Sequence, residues 1–308
     1  MTDDPVEPVA VIGTGAIGVG FLVLFALAGV PVRAWDADAA AYDRARAAVA
    51  DRLALLGKHG LLPGKLAEIS YYEQLDEAVD GVALVQECAA ENVVVKRALF
   101  ADLAARAGPD TVLASSSSAL VPSSFGTGFG GRVLGAHPGN PPYLLPVVEL
   151  IPAPDTRADI LARARALYER AGMRPVLVRK EVEGFVFNRL QGALLREAYC
   201  LLRDGVADVE DIDEVVRSGL GPRWSVIGPF ETVDLNTRGG IAAHAARMGP
   251  AYARMGAERG QDDPWTDELV ALASKQRRAL VPLHEWDARV SWRDERLMRL
   301  RAAMRPRD

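Results

Sequence analysis

The chain has 308 residues, 49% hydrophobic and 25% charged, which is long enough for a substantial core and fits about two domains. Its net charge of -5 argues against nucleic acid as the main partner, because phosphate binding needs a basic field. Two cysteines, Cys88 and Cys200, lie far apart without CxxC spacing, so neither a disulfide framework nor a metal site is expected and a reducing cytosol fits best.

The opening "MTDDPVEP" is acidic and proline-containing, unlike the basic, apolar start of a secretory leader, so a cytoplasmic location is expected. A short β-rich apolar run, Val9 to Ile12, then breaks at glycines and gives way to a helical apolar stretch reaching Gly29. The apolar stretch Val19 to Val32 is shorter than the roughly 20 residues of a membrane-spanning helix. It also contains Gly20, Gly29 and Pro31, so it reads as a buried helix and no membrane partner is expected.

A second strand, Val30 to Trp35, ends at Asp36 and completes a βαβ unit. Between its strand and helix, Gly13, Gly15 and Gly18 form GxGxxG, with Ala16 and Ile17 inside it. The first glycine permits a tight turn, the second lets backbone approach a pyrophosphate, and the third lets helix pack on strand. The free N–H groups of the helix start then face the phosphates. Asp36 stands where an acid accepts hydrogen bonds from a ribose diol and repels a 2'-phosphate; no Arg or Lys occurs at 37 to 39, so NAD is expected over NADP.

Strand candidates follow at Ile69 to Tyr72, Val82 to Gln86, Thr111 to Ala114, Val133 to Ala136 and Val147 to Ile151. Helical stretches such as Glu91 to Ala107 separate several of them. The alternation predicts an α/β domain with a doubly wound, mostly parallel sheet of Rossmann type over residues 1–183. After "RPVLVRK" the pattern changes, and residues 184–308 read as an all-α domain. Its helices are expected at Phe185 to Arg203, Val209 to Ser218, Pro229 to Leu235, Gly239 to Met255, Asp267 to Arg278 and Glu285 to Met304. From residue 271 onward ten Lys and Arg face five Asp and Glu; Arg293, Arg296 and Arg299, with Asp294 and Glu295 among them, read as a solvated, ion-paired helix face.

A hydride acceptor implies a substrate alcohol whose proton a base must take, and histidine is the usual group near neutral pH. His137 ends one expected strand and Glu149 lies in the next; prolines between them stiffen the return. The pair permits a catalytic dyad or a rigid structural loop. Ser115 to Ser118 follow a strand at the carboxyl edge where open α/β sheets bind ligands, as a substrate contact or a polar turn. Asn188 shares a helix face with Gln191, away from the stripe of Val186, Leu190, Leu194, Ala198 and Leu201.

Together these residues give the chain a resemblance to the 3-hydroxyacyl-CoA dehydrogenase superfamily. The resemblance implies an active site of Ser118 in "SSSSAL", His137 and Glu149 in "HPGNPPYLLPVVE", and Asn188 in "GFVFNRLQ". The phrases "VQECAAEN", "AHPGNPPYLLPVVELIPAP", "GLGPRWSVIGPFET" and "WRDERLMRL" are most similar to its lambda-crystallin and L-gulonate 3-dehydrogenase branch. That branch implies NAD-dependent oxidation of a small 3-hydroxy acid, L-gulonate first, with L-carnitine or a 3-hydroxyacyl-CoA or acyl-carrier thioester as alternative substrates and reduction of a diketo ester as a further alternative. A non-catalytic NAD-binding structural protein is the reading from another class.

The resemblance also implies substrate contacts from Ser118, Asn140, Asn188 and Arg223, the last to a carboxylate, and cofactor contacts from Glu91 and Lys96. The plainer reading of Glu91 and Lys96 is surface placement on a helix. Arg223 also reads as a salt bridge between domains or subunits, and a homodimer through the helical domain is implied. Where acyl-CoA members carry a lysine-rich stretch, this chain has scattered Arg44, Arg46, Arg52 and Lys58. Gly139 replaces a larger residue, which is expected to widen or loosen the His137 loop, and the segment between Ser118 and His137 is two residues shorter.

Overall fold

The computed structural model describes residues 6–260 and 266–289, together with residues 292, 296 and 303. β1 (Val9–Ile12) is buried at every position, because it pairs in parallel with β2 (Val32–Trp35) on one edge and β4 (Leu84–Glu87) on the other. Covered on both faces, such a strand reads as an unbroken apolar run. With β3 (Ile69–Tyr71), β5 (Val112–Ser115), β6 (Val133–Pro138), β7 (Val147–Pro152) and β8 (Arg174–Leu177), the strands form one sheet in the order β3-β2-β1-β4-β5-β6-β7-β8.

Strand alternation divides the core. Val9 and Val11 face α1 (Ala16–Leu27), α2 (Ala41–Lys58) and α5 (Ala158–Arg170). Ala10 and Ile12 face α3 (Leu75–Val79) and α4 (Val93–Arg106), where Phe100 and Leu103 are fully buried. Gly18 to Ala26 of α1 are all buried, which accounts for an apolar helix without a polar face. This is the doubly wound α/β layer expected from the alternation of elements.

The sheet departs from parallel order where the site forms. β6 and β7 are antiparallel, with His137 directly opposite Glu149, and β7 then pairs in parallel with β8. β8 was not expected from the sequence: it is a half-exposed edge strand containing Pro175, and neither feature produces an apolar run. β2 begins at Val32 and not Val30, after Gly29 at φ +74° and Pro31.

Helix starts also shift. Asn92 caps α4 by accepting from the amides of Val94 (2.9 Å) and Val95 (3.1 Å), so Glu91 lies before the helix. α6 (Phe187–Arg203) begins two residues later than expected because Gly184 and Phe185 are left-handed, at φ +74° and +50°.

Contacts divide the chain into two compact units, Met1–Leu195 and Arg196–Asp308. In the second, α7 (Val209–Glu214) runs into a π-helical turn, Val215–Leu220, and then α8 (Gly221–Trp224). α10 (Gly240–Glu258) packs against α9 (Pro229–Asn236) and α11 (Asp267–Leu280). Asp234 is fully buried there, paired with Arg277 and Arg278, and its carbonyl accepts the Trp286 indole N–H at 2.8 Å. The expected helix Glu285 to Met304, and the arginine face within it, fall largely outside the described residues. Among the described residues no helix is long and apolar enough to cross a membrane, and no cluster of His, Cys, Asp or Glu suits a metal ion.

Candidate active site

The glycine loop follows β1, and each glycine answers a different constraint. Gly13 is at φ +94°, and a Cβ there would stand 2.8 Å from the Cys88 carbonyl oxygen. A Cβ on Gly18 would lie 1.9 Å from the Gly13 carbonyl oxygen, so only glycine lets α1 seat on β1. Gly15, the residue before α1, has nothing within 4 Å of its Cβ position, and Ala16 beside it is exposed while Ile17 turns inward. The start of α1 therefore presents open space and unpaired N–H groups, which suits a pyrophosphate.

Asp36 ends β2 beside that loop. One carboxylate oxygen accepts from the Thr14 amide (2.7 Å) and hydroxyl (2.9 Å), and the other from the Asp38 amide (3.0 Å). The second oxygen keeps a lone pair for a ribose hydroxyl. Thr14, which sequence reasoning passed over as a spacer in GxGxxG, thus fixes the carboxylate. A cleft of about 310 Å³ lined by Thr14, Gly15, Ala16, Asp36, Arg44 and Arg52 fits the adenosine side of a dinucleotide.

Across the sheet edge, the serine turn after β5 is held by two carboxylates. Glu91 accepts from Ser117 Oγ (2.5 Å) and from the amides of Ala119 (3.1 Å) and Leu120 (3.2 Å). Partial burial pushes its pKa upward, but the hydrogen bonds from Ser117, Ala119 and Leu120 and the Lys96 charge together outweigh this and hold the carboxyl below its ordinary value. Glu87, at the end of β4, accepts from Ser115 Oγ (2.6 Å) and the Ala89 amide (2.6 Å).

Lys96 corrects the sequence expectation. Not a surface residue, it is completely buried, with Nζ 2.8 Å from both Glu87 oxygens and 4.0 Å from Glu91. A buried ammonium needs such a partner, and Glu87 supplies it. Nothing in the sequence pointed to Glu87, because a carboxylate closing an apolar strand resembles the polar end of that strand.

Ser118 is exposed, and its carbonyl accepts from Asn188 Nδ2 at 3.1 Å, so the serine turn and the first turn of α6 meet. His137 and Glu149 lie in register on β6 and β7, buried, with Nδ1 and Oε2 2.8 Å apart. A carboxylate only accepts, so Nδ1 carries the hydrogen and Nε2 keeps its lone pair. The Phe185 and Phe187 rings, with centroids at 5.6 and 6.1 Å, flank the imidazole.

The second Glu149 oxygen accepts from the amides of Val186 (2.7 Å) and Phe187 (3.0 Å) at the start of α6. The helix end, through its free amides and positive dipole, stabilises the charged carboxylate. The left-handed pair Gly184 and Phe185 aims these amides; Gly184 was the one signal in the sequence for this cap.

Asn140 is exposed at the loop after β6. Gly139 before it does not loosen that loop, contrary to expectation. A Cβ at Gly139 would lie 3.0 Å from both Leu145 Cβ and Val147 Cγ1, so the space is filled. In the second unit, Arg223 follows the π-helical turn on α8, is partly exposed, and its guanidinium has no hydrogen bond or ion pair with another described residue. π-Helical turns occur frequently at functional sites.

The comparisons with known proteins place the chain in a family. The family model for the 3-hydroxyacyl-CoA dehydrogenase NAD binding domain matches residues 8–182, and that for the C-terminal domain matches 184–281. Lambda-crystallin of Oryctolagus cuniculus is 36% identical, covering 97% of this chain and 97% of its own length. L-Carnitine dehydrogenase of Pseudomonas aeruginosa is 40% identical over 80% of this chain and 78% of its own length. The solved structure of FHMPC 5-dehydrogenase, an NAD+ dependent dismutase, has a TM-score of 0.73 and 29% identity, covering 91% of this chain and 98% of its own.

Proposed function

The chain belongs to the 3-hydroxyacyl-CoA dehydrogenase family and is an NAD-dependent oxidoreductase acting on CH–OH, and from that premise we propose that it oxidises the 3-hydroxyl of a free small 3-hydroxy acid, L-gulonate foremost. The observation that carries the proposal is the buried His137–Glu149 pair at 2.8 Å, with Glu149 held by the start of α6.

Asp36 and the glycine loop hold NAD, whose nicotinamide accepts a hydride when bound. His137 takes the hydroxyl proton at Nε2, and Glu149 stabilises the imidazolium formed. Ser118 and Asn188, joined at 3.1 Å, orient the substrate hydroxyl. Asn140 contacts the substrate, and Arg223, with no partner among the described residues, binds its carboxylate through a planar fork.

Several observations support a free acid over a CoA thioester. Arg44 is paired with Asp38 at 3.0 Å, Arg46 lies 4.0 Å from the Tyr71 ring centroid, and Arg52 donates to the Ala48 carbonyl at 2.9 Å. Each arginine that stands in the place of a CoA-binding lysine already has a partner. The named substrates of the carnitine and FHMPC enzymes both carry a carboxylate. L-Carnitine is the second reading, favoured by the 40% identity and by Trp224, 40% exposed next to Arg223 and available to a trimethylammonium.

A second copy of the chain is the proposed cover for α6. That helix has no buried residue, and it leaves Leu190, Leu194 and Tyr199 exposed. Light scattering is expected to give twice the 33.1 kDa chain mass; a monomer at micromolar concentration contradicts this.

Changing His137 to Gln tests the catalytic proposal. Turnover is expected to fall at least about a hundredfold, with NADH affinity retained. Near-normal turnover would remove His137 as the base.

A further inference from the structure

Besides Gly18, α1 carries a second glycine that the dinucleotide fingerprint does not call for. Gly20 lies little more than one helical turn beyond Gly15 and is buried. A Cβ on Gly20 would stand 2.8 Å from Pro142 Cδ and 3.3 Å from Pro142 Cγ. Pro142 belongs to the 139–146 loop, which leaves β6 just after His137 and returns into β7 just before Glu149.

The loop is braced from within as well. The Gly139 amide donates to Val147 O at 3.0 Å, and the amides of Leu144 and Leu145 donate to Pro141 O at 3.0 and 2.9 Å. Tyr143 packs on the same core that buries α1. Pro142 is buried, and its ring, closed onto its own backbone, cannot swing away from an intruding methyl group. At this contact the helix that would hold the pyrophosphate touches the loop that follows the base.

We infer that Gly20 and Pro142 are positioning residues that set the separation between His137 and the dinucleotide by seating the His137 loop directly on α1. The inference rests on the reading of His137 as the base. Its physical warrant is that proton and hydride transfer from one carbon need both acceptors placed together, and a misplacement of about 1 Å costs about a hundredfold in rate. Alanine is a better helix former than glycine. The local effect of Gly20→Ala on α1 is therefore favourable, and any loss arises where the methyl group meets Pro142.

The test compares Gly20→Ala, Pro142→Ala and the double variant by kcat at saturating NAD and substrate, NADH affinity by fluorescence, and melting temperature. Gly20→Ala is expected to lower kcat about tenfold or more with NADH affinity within about twofold of the parent. Pro142→Ala removes both clashing atoms, so the double variant should recover to within about threefold of Pro142→Ala alone. Unchanged kcat in Gly20→Ala, no recovery in the double variant, or a loss confined to NADH affinity each overturns the inference. Should Gly20→Ala not fold, Pro142→Ala and Pro142→Gly carry the test: each is expected to lower kcat about threefold or more at constant NADH affinity, and parental kcat in both overturns it. His137→Gln run alongside separates the failures. Turnover surviving there removes the base assignment and the gauge with it, whereas an inactive His137→Gln beside an unaffected Gly20→Ala removes the gauge alone.

Discussion

Glu91 keeps its charge in a half-buried place because a hydroxyl, two amides and the Lys96 ammonium all favour the ionised form. The resulting pKa is lowered although burial alone raises it. A carboxyl lowered on folding contributes stability above its unfolded value of about 4.3, and that contribution is lost as pH falls through the folded value. In Glu91→Gln the melting temperature should therefore lie below that of the parent at neutral pH, with the gap closing below about pH 4. A gap independent of pH would mean that the charge of Glu91 contributes nothing. The family resemblance made Glu91 and Lys96 visible in the sequence. Their true organiser, Glu87, was hidden because a buried ion pair between a strand end and a helix nine residues on leaves no periodic trace.

At the scale of elements, the β6–β7 hairpin and the start of α6 form one device. Glu149 serves His137 with one oxygen and α6 with the other, and the left-handed Gly184–Phe185 turn delivers the α6 amides. Glu149→Gln separates the two duties. Its amide oxygen can still accept from Val186 and Phe187, so melting should change little. Its NH2 would meet Nδ1 as a donor, forcing the hydrogen to Nε2 and removing the lone pair. Turnover is expected to fall about ten-thousandfold, as a wrong tautomer does in the Ser-His-Asp triad of serine proteases. Parental turnover in a folded Glu149→Gln would contradict this role. Most strands were legible because central parallel strands are apolar throughout; β8 was not, since an edge strand with Pro175 lacks that signal. His137 and Glu149 were legible as residues, while their partnership required the antiparallel register of β6 and β7.

For the whole molecule, the family and its cofactor were readable because glycine spacing, Asp36 and the phrase around His137 are local in sequence. Substrate choice is not local. The residues proposed for it, Arg223 and the arginines that meet Asp38, Tyr71 and the Ala48 carbonyl, are scattered along the chain, and those three contacts appear only on folding. The uneven charge, basic beyond residue 271 and acidic before it, is likewise a property of composition that carries no assignment of substrate. The central claim is oxidation of a free 3-hydroxy acid with NAD. The most direct measurement is kcat/KM, from NADH formation, for L-gulonate, L-carnitine, 3-hydroxybutyrate and 3-hydroxybutyryl-CoA on the same preparation. The highest value is expected for L-gulonate, with the free acids ahead of the thioester; a clear preference for 3-hydroxybutyryl-CoA, or no turnover of any free acid, would contradict that claim.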